Sequence, residues 1–338
     1  MLISAVADPL AFEIHCFDTP GYRQQADLFL RGIISNGLLV VDSDANLQHQ
    51  MINNIRKLSS KQGQSLSIRI EELLKNKRKR IIRSHPFAGV VRTSDLFELA
   101  WSVFEKCEAD ALVSTENRLA QLKASGRTHS GIIPLSSYSE SGLEDERNRY
   151  LVDLPPIDTL DFKDVEKLFF KVVKFSRWLR FYDKQIGKGQ NTSNFREGIE
   201  YILELWQRDG HFAVRGDVDF VEIITCQKER ILPGDSLHAY TSKRARNHEA
   251  YKKVVNSLLK PLRSRFPWRI DLKVKDEGDI SFHARHLQAQ AAIVFLDFGF
   301  DLFVPRSSPR KFKRNIIKID NGSFNHLQEY RNLPDGQF

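Results

Sequence analysis

Apolar residues recur along this chain with two different periods. Short unbroken runs at Leu2–Val6, Leu38–Asp42 and ALVS (111–114) read as buried strands. Between them, YRQQADLFLRGIISNG, NLQHQMINNIRKL, SIRIEELLKNKRKRII and SDLFELAWSVFEKCEA place apolar residues three and four apart, the spacing of one helical face. Gly37 reads as a helix stop, Ser43 or Asp44 as the cap of the second helix, and Ser94 as the cap of the fourth. Strands alternating with helices predict an α/β layer on a parallel sheet. No internal repeat is present.

From Gln121 the pattern fades into polar pieces punctuated by Gly, Ser and Pro, namely ASGRTHSG, SSYSESGLEDERN and DLPPID. Residues 121–158 are therefore expected to be a linker between a first domain, 1–120, and a second, 159–338. The second domain shows VEKLFFKVVKF, WLRFYD, FREGIEYILELWQRDG, VDFVEIIT and RNHEAYKKVVNSLLKPLRSRF, again alternating between helix and strand. WRIDLKVKD, ISFHARHL and AAIVFLDFGFDLFV then follow as three strands in close succession, so a mixed sheet is expected there.

Composition narrows the class without choosing a function. Hydrophobic residues make up 41% and charged residues 28% of the 338, the balance of a folded globular chain. No signal-peptide pattern is visible and no apolar stretch reaches roughly 18 residues, so a cytoplasmic protein without a transmembrane segment is expected. Cys16, Cys107 and Cys226 are scattered without metal-ligand spacing, which fits a reduced compartment. The net charge is +8, and residues 151–338 hold most of it, with 32 Lys and Arg against 25 Asp and Glu. That excess suits an anionic partner, either nucleic acid or a phosphorylated membrane surface.

Acids flank two of the predicted strands. Asp8 follows the first, and Asp110 and Glu116 bracket the last in ADALVSTEN. Carboxylates at strand ends point into the crevice where open α/β sheets bind ligands, and several together can hold Mg²⁺ or Mn²⁺. The alternative is that Asp8 and Asp44 are loop or cap residues and Glu116 is merely exposed. The early Val-Ala-Asp-Pro and the later A-D-A-L-V-S-T-E resemble the first and late motifs of PIN-domain nucleases. The resemblance covers roughly residues 1–120 and implies Asp8, Asp110 and Glu116 as metal-binding, catalytic acids. It also implies a further acid on the helix after the second strand, where this chain has Gln48 and Gln50; Asp42, Asp44, Glu71 or Glu72 could substitute. The cluster KNKRKR, with Lys75, Lys77, Arg78, Lys79 and Arg80, either complements a helix end or contacts several phosphates.

In ISFHARHL, alternation puts His283 and Arg285 on one face of a strand, within reach of one phosphate. HARHL followed by DFGFDLF resembles the C-terminal half of phospholipase D-like folds. A buried guanidinium needs an acid or an anion beside it, and for Arg285 the resemblance implies Asp183 or Asp297. The nearer similarity is to the phospholipase D-like domain at the C-terminus of MIT-domain proteins and their bacterial relatives. WLRFYDKQIG, a helix and VEIIT extend that resemblance over roughly residues 165–305. It implies a phosphate-attacking His283, an arginine clamp at Arg285, with Arg180 and Asp183 facing them, and no metal. The aspartate expected later in that motif is replaced by Gln290. Only one histidine–x–basic unit is present, so catalysis there would need a homodimer.

The two resemblances together imply an α/β protein with a PIN-like parallel sheet followed by a phospholipase D-like mixed sheet. They point to a nuclease acting on nucleic acid, in a setting such as an anti-phage or mobile-element system with partner proteins. The alternative is a non-catalytic adaptor that binds nucleic acid, phosphoinositides or a protein.

Overall fold

The computed structural model describes residues 3–58, 60–143, 145, 154–188, 192–276, 285–320 and 325–336. The chain is α/β and divides into two compact units, Met1–Tyr150 and Leu151–Phe338.

The first unit is built on a five-stranded parallel sheet. Its strands are β1 (Ile3–Ala7), β2 (Gly37–Val41), β3 (Ile81–Arg83), β4 (Ala111–Ser114) and β5 (Ile132–Pro134), in the order β3-β2-β1-β4-β5. Every residue of β1, β2 and β4 is buried, as expected of parallel strands covered on both faces. The helices are α1 (Tyr22–Asn36), α2 (Asn46–Lys57), α3 (Ser60–Lys75), α4 (Lys77–Arg80), α5 (Leu96–Lys106) and α6 (Glu116–Ala124). In α1, Ala26, Phe29, Leu30 and Ile33 form the buried stripe that the spacing predicted.

Four local expectations change. Ile81 and Ile82, read as the end of a helix, belong to strand β3, paired with β2. Gly37 is extended rather than left-handed; a Cβ there would lie 2.8 Å from the Ile33 backbone, so it serves the close approach of helix to strand. Asp42, not Ser43 or Asp44, receives the first amides of α2, from Asn46 at 3.0 Å and Leu47 at 2.9 Å. Asp95, not Ser94, caps α5. Part of the expected linker also belongs to the first unit: Gln121–Ala124 ends α6, and β5 adds a fifth strand beside β4. Three apolar positions at β5 are too few to reveal a strand by periodicity.

The second unit carries a six-stranded mixed sheet. Strands β6 (Trp178–Asp183), β7 (Phe220–Cys226) and β8 (Ile270–Lys275) are mutually parallel, while β9 (Arg285–Gln288) is antiparallel to β6. Strands β10 (Ile293–Leu296) and β11 (Ile317–Asp320) continue antiparallel, giving the order β11-β10-β9-β6-β7-β8. Helices α7 (Phe162–Val173) and α8 (Thr192–Asp209) follow the predicted pattern, while α9 (Leu237–Val254) begins well before the predicted run, which starts at Arg246. A π-turn at Val255–Leu259 joins α9 to α10 (Lys260–Arg265). A last helix, α11 (Asn325–Asn332), brings Leu327 onto Tyr182, Ile224 and Ile293. Among the described residues no helix is long and apolar enough to cross a membrane.

AAIVFLDFGFDLFV is not one strand: β10 stops at Leu296, and residues 297–300 turn, with Gly299 at φ +67°. The turn returns Phe300 against the ring of Phe181, centroids 5.1 Å apart. It also runs across α8 at Gly198, where a Cβ would lie 2.0 Å from the Phe300 carbonyl oxygen. Alanine gains about 1 kcal/mol over glycine in a helix interior, but overpacking against backbone costs about 1–3 kcal/mol. Gly198→Ala is therefore predicted to destabilise the second unit, read as an earlier urea midpoint of tryptophan fluorescence. An unchanged or later midpoint would refute this packing.

Candidate functional site

In the first unit the strands all run one way, so residues after the strands gather at one edge and residues before them at the other. The connections from β1 and β4 leave in opposite directions, towards β2 and β5. Between them lies the topological switch point where open α/β sheets bind ligands. Asp8 sits there and is fully buried. Its main-chain amide continues the ladder to Val113 at 2.8 Å. One carboxyl oxygen accepts from the Leu10 amide at 3.0 Å, and the other from the Ser114 hydroxyl at 2.5 Å. Burial pushes the Asp8 carboxyl above its ordinary range, against the pull of those two hydrogen bonds; Arg118 pulls it down and the charge of Asp95 raises it further.

Two more acids share this neighbourhood. Asp95 caps α5 through Oδ1, accepting from Phe97 at 2.9 Å and Glu98 at 3.2 Å. Glu116 opens α6 directly beyond β4, and its Oε1 accepts from the Ser136 hydroxyl at 2.7 Å. Asp95 is the residue that sequence reading missed, because its N-cap role was given to its neighbour. On α2 the side chain that reaches the edge is the buried Asn54, which donates to the Pro9 carbonyl at 2.9 Å and accepts from Gln50 at 2.9 Å. Amides thus occupy the place where the PIN resemblance implies an acid. Of the suggested substitutes, Asp42 is engaged as a cap and Glu72 pairs with Arg69 on α3 at 2.8 Å.

Asp110 is not part of this group. Ala111 lies beside Ala5 in register, so Asp110 precedes its strand and lies at the amino edge, beyond the other end of both strands from Asp8. There its Oδ2 accepts from the Ser4 amide and hydroxyl, both at 2.8 Å, and its own amide donates back to Ser4 Oγ at 3.1 Å. It is a structural lock between β1 and β4. The expected phosphate-binding cluster also precedes its strand, β3. Lys75 and Lys77 are exposed, but Arg80 is buried and donates to the Ser35 carbonyl at 3.0 Å. Burial pushes the Arg80 guanidinium down to about 10 and lowers Lys79 as well. The side chain of Arg78 lies outside the described residues.

Among the described residues no three or more His, Cys, Asp and Glu side chains are grouped to hold a metal ion. Mg²⁺ seldom uses such an all-protein cage; one or two carboxylates with water and substrate phosphate suffice. The oxygen-only donors Asp8, Asp95 and Glu116 fit that chemistry, and Asp110 does not.

In the second unit, His283 lies outside the described residues. Arg285 stands opposite Asp183 in register, on one face of the sheet. Arg180 is three residues from Asp183 and therefore points to the other face, opposite Gln288. There it ion-pairs with Glu222, which also binds Lys273, and its guanidinium lies 4.4 Å from the Trp178 ring and 4.8 Å from Phe220. Burial would raise Glu222, but the hydrogen bonds from Lys273 and Arg180 prevail and hold it below its ordinary range. Of the expected phosphate pocket, Arg180 is thus separated by the pleat from Asp183 and Arg285.

Arg285 donates to the main-chain carbonyl of Asp297 rather than to its carboxylate. Asp183 is fully buried and accepts from the Gln185 amide at 2.9 Å and the Phe300 amide at 3.2 Å. A Cβ at Gly299 would lie 1.8 Å from its Oδ2, so only glycine fits beside it. Burial raises the Asp183 carboxyl to about 6, against those two amides and Arg285.

No protein-family model matches the chain, and no curated protein matches it.

The raised Asp183 carboxyl sets a pH dependence. The folded state holds its proton more tightly than the unfolded state, so this contribution is complete below the unfolded value of 3.8 and is lost as pH rises through about 6. The stability of the second unit should fall between pH 4 and 7, by on the order of 2–3 kcal/mol from this group. Asp183→Asn removes the titration, so wild type should lose stability relative to the variant across that window. Parallel urea midpoints for the two proteins would refute the assignment.

Proposed function

We propose that the chain hydrolyses phosphodiester bonds of nucleic acid at the carboxyl edge of its first sheet. One observation carries this reading: the buried Asp8 is kept at the switch point with Asp95 and Arg118 as its electrostatic neighbours, although burial disfavours its charge. A fold requiring only stability is better served there by an amide, and a retained, costly carboxylate marks a working group. Asp8 with Asp95 or Glu116 would hold Mg²⁺ or Mn²⁺. Such an ion, when bound, polarises the phosphate and lowers the pKa of its water. Ser114 and the Leu10 amide fix the Asp8 carboxylate in place, so little reorganisation remains on binding. Arg118, in the first turn of α6, supplies a cation for the substrate phosphate; its guanidinium lies 5.4 Å from the Phe97 ring.

A second reading is supported by the amides of Gln50 and Asn54 at this edge: a nuclease fold that has lost part of its acid set and binds nucleic acid without cutting it. Labelled single-stranded and duplex DNA and RNA, incubated with Mn²⁺ or Mg²⁺, separate the two. The catalytic reading predicts EDTA-sensitive cleavage, lost at least 100-fold in Asp8→Asn and Glu116→Gln. Asp110→Asn, at the opposite edge, should keep the cleavage rate of wild type and lower the melting temperature. Asp8→Asn should melt no lower than wild type at pH 7, because the raised carboxyl makes Asp8 a stability cost above its unfolded pKa. Binding without cleavage on every substrate would leave the adaptor reading.

A further inference from the structure

The second unit has a basic cleft that neither resemblance marks. It lies beyond the carboxyl ends of the adjacent parallel strands β6 and β7, against α9, with a volume of about 490 Å³. Lys188, Lys228, Arg246 and Lys253 line it, opposed by Glu249, with only Gly187, Ala245 and Ala250 between them. Three segments converge to make it, and each is fixed. The turn after β6 rests on α9 through Gly187, at φ +88°, where a Cβ would lie 2.5 Å from Val254 Cγ2. The Ile186 carbonyl is held by the Thr225 hydroxyl at 2.9 Å. The turn after β7 is clamped by the buried Asn247, which accepts from the Glu229 amide at 2.8 Å and donates to the Glu229 carbonyl at 2.9 Å. Lys228 is exposed at the tip of that clamped turn.

The charge here is not what packing requires. Helix α9 buries only Asn247 and Val254 of its own residues and carries Lys243, Arg244, Arg246, Lys252 and Lys253. Glu229 pairs with Arg246, Asp235 with Lys243 and Glu249 with Lys252. The cleft lining still counts four cationic side chains against the one carboxylate of Glu249, a formal excess that a bound anion offsets. Among the described residues the lining offers no aromatic ring to stack a base, and its apolar part is small residues and the stems of its long cationic side chains. Recognition is therefore of phosphate groups, and the spread of the lining cations over the turns after β6 and β7 and over α9 fits a run of phosphates rather than one. We infer that this cleft binds the phosphodiester backbone of a nucleic acid strand, without sequence preference. The inference rests on the reading that nucleic acid is the substrate and names the surface of the second unit that holds it.

The test is fluorescence anisotropy of labelled 20-mers of single-stranded DNA and RNA in EDTA, so that binding is measured apart from cleavage. Lys228→Gln/Lys253→Gln should weaken binding at least tenfold and reduce the salt slope by about 1.5, the share of two phosphate contacts. Asn247→Ala should weaken binding too, by loosening the turn that carries Lys228. Lys75→Gln/Lys77→Gln in the first unit should bind as wild type, and both surface variants should keep the wild-type tryptophan emission. Wild-type affinity in Lys228→Gln/Lys253→Gln would overturn the inference, whatever the cleavage assays show. Loss of cleavage in Asp8→Asn with binding intact would leave it standing. Inorganic phosphate competing as well as the 20-mer would assign the cleft to a free anion instead. Sedimentation with phosphatidylserine vesicles that depends on the same lysines would assign it to a membrane surface, and either result would overturn the nucleic-acid assignment.

Discussion

The direction of the strands is the constraint on which both units depend. In a parallel array every chain segment enters at one edge and leaves at the other, so a polar residue's position before or after its strand decides what it can meet. Asp8 and Glu116 follow β1 and β4 and share an edge; Asp110 precedes β4 and is consumed in a lock with Ser4. The cations at Lys75–Arg80 precede β3 and fall on the same side as Asp110. In the second unit the same rule brings Lys188 and Lys228 to one end of β6 and β7. What the molecule offers to a ligand is thus set by topology before any side chain is placed.

Asp8 and Asp183 are fully buried carboxyls at this edge of their two units, and their surroundings are built differently. Asp8 has Asp95 and Arg118 as charged neighbours and is held by the Leu10 amide and the Ser114 hydroxyl. Asp183 is closed off by Gly299 and by the Phe300 amide, so its hydrogen bonds hold together the turn after β10 and the end of β6. The first arrangement leaves electrostatic work for a ligand to complete. The second is internally satisfied, and Arg285 is likewise engaged by the Asp297 carbonyl. That contrast supports the proposal that any catalysis belongs to the first unit.

Much of the fold was legible in the sequence, because most helices carry a clear apolar stripe and strands such as WLRFYD are continuous apolar runs. Strand β3 was not, since IIR follows a helical pattern with no Gly or Pro to separate them. Strand β5 is only three residues long. Two site errors had signals in the sequence that went unused. An acid before a strand cannot join one after it in a parallel sheet, which excludes Asp110 from Asp8. Residues 180 and 183 differ by an odd number, which puts them on opposite faces of one strand. Asp95 was hidden by the adjacency of Ser94, since either can cap a helix and only the backbone decides. The basic cleft was not legible at all: Lys188, Lys228 and Lys253 are far apart in sequence, and only folding gathers them.

The short outer strands of the first sheet have a consequence for solubility. Open sheets end in unpaired main-chain groups that can recruit a strand from another molecule. Here β3 and β5 are each three residues long, and β5 ends in Pro134, which has no amide to offer. Lys75 and Lys77 stand exposed just before β3, so an approaching copy would bring like charges together beside the ladder. Among the described residues no strand pairs beyond β3 or β5, and the exposed lysines would oppose a further strand approaching beside β3.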